Sequence, residues 1–161
     1  MYYEDFPVGF QFETATRQLS RADIIGFAQL WDPQPFHIDE AAAQASPFGG
    51  IIASGFQTLM VAFRLTIDTG LFEACSIGSP GMDAVRWMTP VRPGDGLRVR
   101  AEVVSARPSG SKPDRGLVTI RYEVLNQNDK AVACYSPVQI LRRRPLTELS
   151  LIHISEPTRP Y

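Results

Sequence analysis

The stretch GFQTLMVAFRLTIDT, residues 55–69, contains the longest helical pattern in the chain. Its apolar residues cover most of a helical circumference; they are Leu59, Met60, Val61, Ala62, Phe63, Leu65 and Ile67. A helix that is apolar on all sides is typical of a protein interior, so we predict that this helix is buried. Gly70 provides its C-terminal stop.

The segments that follow Gly81 have the period of β-strands instead. Apolar and polar residues alternate over residues 85–87, 97–103 and 118–124, and a further apolar run covers residues 132–141. Alternation of this kind predicts antiparallel strands with one face in water. One buried helix beside such strands predicts an α+β fold.

Three shorter elements are predicted before the buried helix. Residues 10–17 indicate a first strand. Ser20 and Asp23 match a capping box, which predicts that a helix begins just after Ser20. Asp39 is expected to cap a further short helix that ends at Ala45.

The stretch LWDPQPFHID, residues 30–39, carries the strongest chemical signal. Asp32 and Gln34 each precede a proline, which disfavours helical geometry, so we predict a stiff and kinked loop. Such a loop holds two side chains in a fixed relation, and Asp32 and His37 are the pair that general acid–base catalysis often uses. The alternative is an ordinary interhelical loop with a capping aspartate and a surface histidine.

Together with ASPFGGIIASG, residues 45–55, this stretch resembles the motif region of the MaoC-like, or (R)-specific enoyl-CoA hydratase, family. The family pattern has an aspartate, a polar residue with proline, and a histidine. A short helix, a Phe-Gly segment and a glycine at the start of the central helix follow. Residues 6–9 and 91–95 also match. Two positions depart from the pattern, because Gln34 replaces the usual asparagine and Ser54 replaces a common histidine.

The resemblance implies a hotdog fold, in which a curved antiparallel sheet wraps around the central helix. It also implies reversible hydration of trans-2-enoyl thioesters, or dehydration of (R)-3-hydroxyacyl thioesters. Asp32 and His37 would hold the water, and the backbone N–H of Gly55 would stabilise negative charge on the thioester oxygen. For Gly55 the alternative is a steric requirement where a helix begins tightly.

The resemblance also implies a ligand and an assembly. Gln34, Phe48 and Ser54 are candidate substrate-binding residues; the alternative is loop hydrogen bonding for Gln34 and core packing for Phe48. The expected substrate is an acyl-CoA or carrier-protein thioester, with no metal and no other cofactor, and the expected assembly is a homodimer. Two rival functions are an acyl-CoA thioesterase and a non-catalytic acyl-binding subunit on the same fold. The order of Asp32 and His37 before the central helix favours the hydratase.

The composition is that of an ordinary globular protein. A length of 161 residues suits one domain, and a formal net charge of −1 argues against nucleic acid or an anionic membrane as the main partner. No apolar run approaches the roughly 20 residues of a membrane span, and the N-terminus lacks a signal-peptide pattern. Cys75 and Cys134 are far apart and are expected to be free thiols, which favours a cytoplasmic protein.

Motifs of several other enzyme classes are missing from the sequence. There is no Walker lysine loop, no dinucleotide-binding glycine fingerprint and no Gly-x-Ser-x-Gly elbow. His37 and His153 are the two histidines, which argues against a multi-histidine metal site.

The end of the chain differs in character. Residues 149–160 resemble the in-frame translation of a transposase adapter used in sequencing libraries. We therefore expect a single domain over residues 1–146 and a non-native tail over residues 147–161. The alternative is a genuine C-terminal extension.

Overall fold

The computed structural model describes residues 1–146, which contain four α-helices, six β-strands and a short 3-10 helix at Tyr3–Asp5. The helices are α1 (Arg21–Trp31), α2 (Pro35–Ile38), α3 (Glu40–Ala45) and α4 (Gly55–Asp68). The strands are β1 (Gln11–Glu13), β2 (Arg17–Gln18), β3 (Ser76–Trp87), β4 (Gly96–Pro108), β5 (Arg115–Leu125) and β6 (Ala131–Arg142). The expected tail, residues 147–161, lies outside the described residues.

The strands form an antiparallel sheet in the order β1-β4-β5-β6-β3, and β2 pairs with one end of β4. Buried and exposed residues alternate along β4 and β5, as the sequence predicted. Val61, Ala62 and Leu65 of α4 join the buried side chains of the sheet in one core. A central helix against an antiparallel sheet is the α+β hotdog fold that the resemblance implied.

The prediction that α4 is buried on all sides is wrong. Phe56, Met60, Phe63 and Ile67 are each more than half exposed, and their spacing puts them on one stripe of the helix. The buried face carries three polar residues instead, Gln57, Thr58 and Thr66. The reason is that the sheet of one chain covers only one side of α4, so the apolar residues on the opposite side of the helix stay exposed.

Two strand predictions need correction. The first predicted strand, residues 10–17, is divided into β1 and β2, because Val99 N–H donates to the Thr14 hydroxyl between them. The strand predicted after Gly81 begins earlier, at Ser76. Three register shifts make this edge strand irregular, and its Pro80 is tolerated because an edge strand has one unpaired side.

The predicted helix caps are confirmed. Asp23 N–H donates to the Ser20 hydroxyl at 3.0 Å, and Ser20 N–H donates to the Asp23 carboxylate at 3.3 Å, which completes the capping box. Asp39 accepts a hydrogen bond from Ala42 N–H at the start of α3.

The expectation of free thiols is met by the described residues. Cys75 is buried and Cys134 is half-buried, and both are free thiols. Within residues 1–146, no helix has the length and apolar character needed to cross a bilayer.

Candidate active site

Asp32 is placed by the abrupt end of α1. Its N–H makes the last helical bond, to the Ala28 carbonyl at 2.8 Å, and its φ of −152° leaves the helical region. Pro33 cannot continue the helix because it has no N–H to donate. The carboxylate therefore projects from a fixed turn between α1 and α2.

His37 lies on the short helix α2, so the prediction that a loop would carry it is wrong. Gln34 has an extended conformation before Pro35, and Pro35 then takes the first position of α2, where a missing N–H costs nothing. The His37 ring is buried, at 4% exposed, and it packs edge-on against the Phe36 ring. The two prolines end one helix and begin the next, rather than holding a loop.

The two predicted catalytic side chains meet. His37 Nε2 lies 3.2 Å from Asp32 Oδ2. The other ring nitrogen, Nδ1, lies 2.7 Å from the Ile52 carbonyl oxygen. Because a carbonyl only accepts, Nδ1 carries a proton, and a neutral His37 therefore presents a lone pair at Nε2.

Asp32 is held in its ionised form. The Gln34 side-chain amide donates to Oδ1 at 2.6 Å, and the Ser54 hydroxyl donates to Oδ2 at 2.7 Å. Burial would raise the pKa of Asp32, but these two hydrogen bonds, with the neighbouring His37, outweigh burial and hold that pKa below its ordinary value. The site thus contains a carboxylate that stays charged beside an imidazole of fixed tautomer.

Ser54 and Gly55 open α4 in an unusual way. Serine is a preferred N-cap because its hydroxyl can accept from a first-turn amide, yet Ser54 makes no such bond and uses its hydroxyl on Asp32. Within residues 1–146, the Gly55 N–H has no hydrogen-bond acceptor. The positive end of the α4 dipole is therefore uncapped beside the dyad.

These groups border a cavity of about 470 Å³. Of the six predicted site residues, five line it; they are Asp32, Gln34, His37, Phe48 and Gly55. The sixth, Ser54, is fully buried behind Asp32, so its side chain supports the carboxylate rather than forming the cavity wall. Phe48 also packs against Phe36, and the Arg92 guanidinium donates to the Phe48 carbonyl at 2.5 Å, which holds this loop in place.

Trp87 is a cavity residue that the sequence did not reveal. Its indole N–H donates to the Gly55 carbonyl at 2.9 Å, and its ring lies against the Gly55 α-carbon. A Cβ at position 55 would come within 2.4 Å of the indole nitrogen, which supports the steric alternative for Gly55. The strand pattern showed only that Trp87 alternates with Arg86, because the contact depends on how β3 meets α4.

The chain also matches a known protein family. The family described as MaoC like domain matches residues 5–128. The chain belongs to the MaoC-like dehydratase family.

Within residues 1–146, no three His, Cys, Asp or Glu side chains are grouped to hold a metal ion.

Individual relatives of this MaoC-like chain include proteins with and without a stated activity. It is 35% identical over 132 residues to the uncharacterized protein YdeM of Bacillus subtilis, which covers 82% of the chain and 92% of YdeM. It is 34% identical over 117 residues to a 3-hydroxybutyryl-CoA dehydratase of Methylorubrum extorquens, which covers 67% of each protein. The crystal structure of a MaoC-like dehydratase from Rhodospirillum rubrum superposes with a TM-score of 0.85 at 38% identity, covering 91% of this chain and 99% of that one.

Proposed function

We propose that the protein catalyses reversible hydration of trans-2-enoyl thioesters to (R)-3-hydroxyacyl thioesters. The observation that carries this proposal is the Asp32–His37 pair, 3.2 Å apart on the wall of a cavity that also contains the start of α4. Hydration adds the water oxygen to C3 and a proton to C2, so the reaction needs a group that takes a proton and a group that supplies one. Two adjacent titratable side chains meet that need.

Water would lie beside the pair, within hydrogen-bond reach of both the Asp32 carboxylate and His37 Nε2. Both atoms are acceptors when His37 is neutral, so together they orient the two water hydrogens and leave an oxygen lone pair free to attack C3. One of the pair takes the water proton as the oxygen attacks C3, and that same proton is then delivered to C2, either directly or through the other member of the pair.

Gly55 N–H supports the charge that develops on the thioester oxygen. As water attacks C3, electron density moves through C2 to this oxygen, and a fixed donor lowers the energy of the enolate-like state. Gly55 N–H has no other acceptor in the described residues, and the α4 dipole adds to its pull. The lack of a Ser54 side-chain cap keeps this end of the helix open to substrate.

The acyl-CoA class of substrate is supported by the family and by a named relative. A dehydratase of 3-hydroxybutyryl-CoA is 34% identical to this chain, and the forward and reverse reactions share one transition state. The proposed chemistry uses two side chains, one backbone N–H and water.

We also propose that the protein is a homodimer. The exposed stripe of α4, Phe56, Met60, Phe63 and Ile67, lies on the same side of the molecule as the exposed Met82 and Trp87 of edge strand β3. A continuous apolar patch next to an open strand edge is the usual mark of a protein interface. A second copy would cover the face of α4 that the sheet leaves bare.

The decisive experiment uses crotonyl-CoA and longer or branched enoyl-CoAs as substrates. Loss of the conjugated enoyl absorbance reports hydration, and a thiol reagent in a parallel reaction reports thioester cleavage. We expect absorbance loss without free thiol in the wild-type protein and neither signal in an Asp32→Asn variant. Free thiol would indicate a thioesterase, and binding without turnover of any substrate would indicate a non-catalytic acyl-binding subunit.

A further inference from the structure

Edge strand β3 contains a bulge close to the cavity. Asp83 pairs with Ser136 and Arg86 pairs with Cys134, so β3 has three steps where β6 has two. Ala84 lies within the bulge with a φ of +53°, in the left-handed region that a residue with a Cβ rarely adopts. Bulges of this kind re-aim the side chains that follow them, and backbone strain of this kind is often found at functional sites.

The effect of the bulge is to bring Trp87 to the helix side of the sheet. Met82 and Trp87 are five residues apart, so in a regular strand they would face opposite sides. With one extra residue between them, their β6 partners become Pro137 and Ala133, which are four residues apart and share a face. The extra residue in the bulge that contains Ala84 therefore determines on which face of β3 Trp87 lies.

On that side, Trp87 makes specific contacts with the start of α4. Its indole N–H donates to the Gly55 carbonyl at 2.9 Å, and its ring packs edge-on against Phe56 at a centroid distance of 6.0 Å. The ring occupies the space that a Cβ at Gly55 would need. Trp87 is half exposed and lines the same cavity as Asp32 and His37.

We propose that Trp87 is a positioning residue for the hydration reaction. The indole hydrogen bond fixes the Gly55–Phe56 peptide, and this holds the first turn of α4, with the Gly55 N–H, against the cavity. The indole ring forms the wall beside Gly55 and requires glycine at that position. This inference rests on the proposed function, since the Gly55 N–H matters only if a thioester oxygen binds there.

The first test is kinetic and uses Trp87→Phe, which keeps an aromatic ring and removes the N–H. Loss of one hydrogen bond corresponds to roughly a 3–10-fold change in a rate or equilibrium constant. We therefore expect kcat for crotonyl-CoA hydration to fall by roughly 3–10-fold, with KM changed by less than about twofold. Trp87→Ala, which removes the ring as well, should lower kcat further. Melting temperature and oligomeric state are measured for both variants, so that a general loss of structure is recognised.

If both variants keep the kcat of an active wild-type protein, the positioning role is wrong. If the wild-type protein does not hydrate any enoyl-CoA, the proposed function fails instead, and with it the kinetic part of this inference.

The second test is independent of activity and compares Gly55→Ala in two backgrounds. Overpacking against the indole should lower the melting temperature of Gly55→Ala by roughly 3–10 °C. In a Trp87→Ala background the same change should cost much less, because the ring is gone. Gly26→Ala is the matched control, since a Cβ at this α1 glycine meets no atom within 4 Å. An equal cost of Gly55→Ala in both backgrounds would show that the indole does not require glycine at position 55.

Discussion

The Ser54 hydroxyl donates a 2.7 Å hydrogen bond to Asp32 Oδ2, the same oxygen that lies 3.2 Å from His37 Nε2. Ser54 is fully buried and is the N-cap of α4, yet its side chain does not cap the helix. One hydroxyl thus has two consequences, because it stabilises the Asp32 charge and leaves the α4 amides uncapped for a ligand.

Replacing Ser54 with alanine should therefore move the acid side of the pH profile. The pKa of Asp32 is depressed in the folded protein, so its ionised form stabilises the fold at ordinary pH, and this contribution is lost as pH falls through the folded pKa. Without the Ser54 bond that pKa rises, and the acid limb of kcat/KM should shift to higher pH. Ser105→Ala, at an exposed position of β4, is the control. An acid limb that does not move would mean that a group other than Asp32 sets it.

The Asp32–His37 pair should behave as one unit in mutagenesis. Asp32→Asn and His37→Gln each remove one proton carrier while keeping a similar shape, and general acid–base groups contribute about 10²–10⁴-fold in rate. Because both act on one water, the double variant should be little worse than either single variant. The measurement is kcat for crotonyl-CoA hydration, with circular dichroism to check folding. Near-full activity in both single variants would contradict the dyad.

Local patterns predicted much of this molecule. The capping box of Ser20, the bounds of α4 and the paired strands all follow from residues close together in sequence, and the structure contains them. The approach of Asp32 to His37 was also predictable, since only a short proline-containing segment separates them.

The remaining features depend on contacts between distant segments. Ser54 donates a hydrogen bond to Asp32, which lies 22 residues earlier in the chain. Trp87 contacts Gly55 only because the bulge at Ala84 changes the face of β3 on which the following side chains lie. The bare stripe of α4 was mispredicted for a related reason. The apolar residues in the sequence show that the surface of a helix is hydrophobic, but they do not show whether the same chain covers that surface.

The Ser20 capping box should have a measurable effect on stability. Ser20→Ala removes the acceptor for Asp23 N–H, and loss of an N-cap of this type costs about 1 kcal/mol of unfolding free energy. Urea unfolding should show a lower midpoint with an unchanged m-value. Ser105→Ala again serves as the control. Equal urea midpoints for Ser20→Ala and Ser105→Ala would show that the Ser20 cap does not stabilise the fold.

A charge on the bare stripe of α4 should prevent dimer formation. Met60 is 53% exposed in the single chain, and Met60→Glu would place a carboxylate in the middle of the proposed apolar interface. We expect light scattering to give a dimer mass for the wild-type protein and a monomer mass for the variant. Arg64→Ala, at an exposed position of the same helix, should remain dimeric. A monomeric wild-type protein would refute the proposed assembly.

The role of the Gly55 N–H can be separated from the steric role of its missing side chain. Gly55→Ala and Gly55→Pro both add a Cβ that meets the Trp87 ring, but only proline removes the N–H. Proline is compatible with the backbone here, because position 55 is the first residue of α4 and Ser54 already has an extended ψ of 137°. The ratio of turnover between the two variants therefore reports the loss of the donor, together with the added Cγ and Cδ of the proline ring.

We expect Gly55→Pro to be about 10²–10³-fold slower than Gly55→Ala, the loss typical of one oxyanion donor. A crystal structure with a bound acyl-CoA analogue should place the thioester oxygen about 2.7–3.1 Å from the Gly55 nitrogen, with Asp32 and His37 beside C2 and C3. Equal turnover in the alanine and proline variants, with a thioester oxygen far from Gly55, would move the oxyanion site elsewhere and leave the dyad intact. An acyl group that avoids Asp32, His37 and Gly55 altogether would remove the structural support for the hydratase.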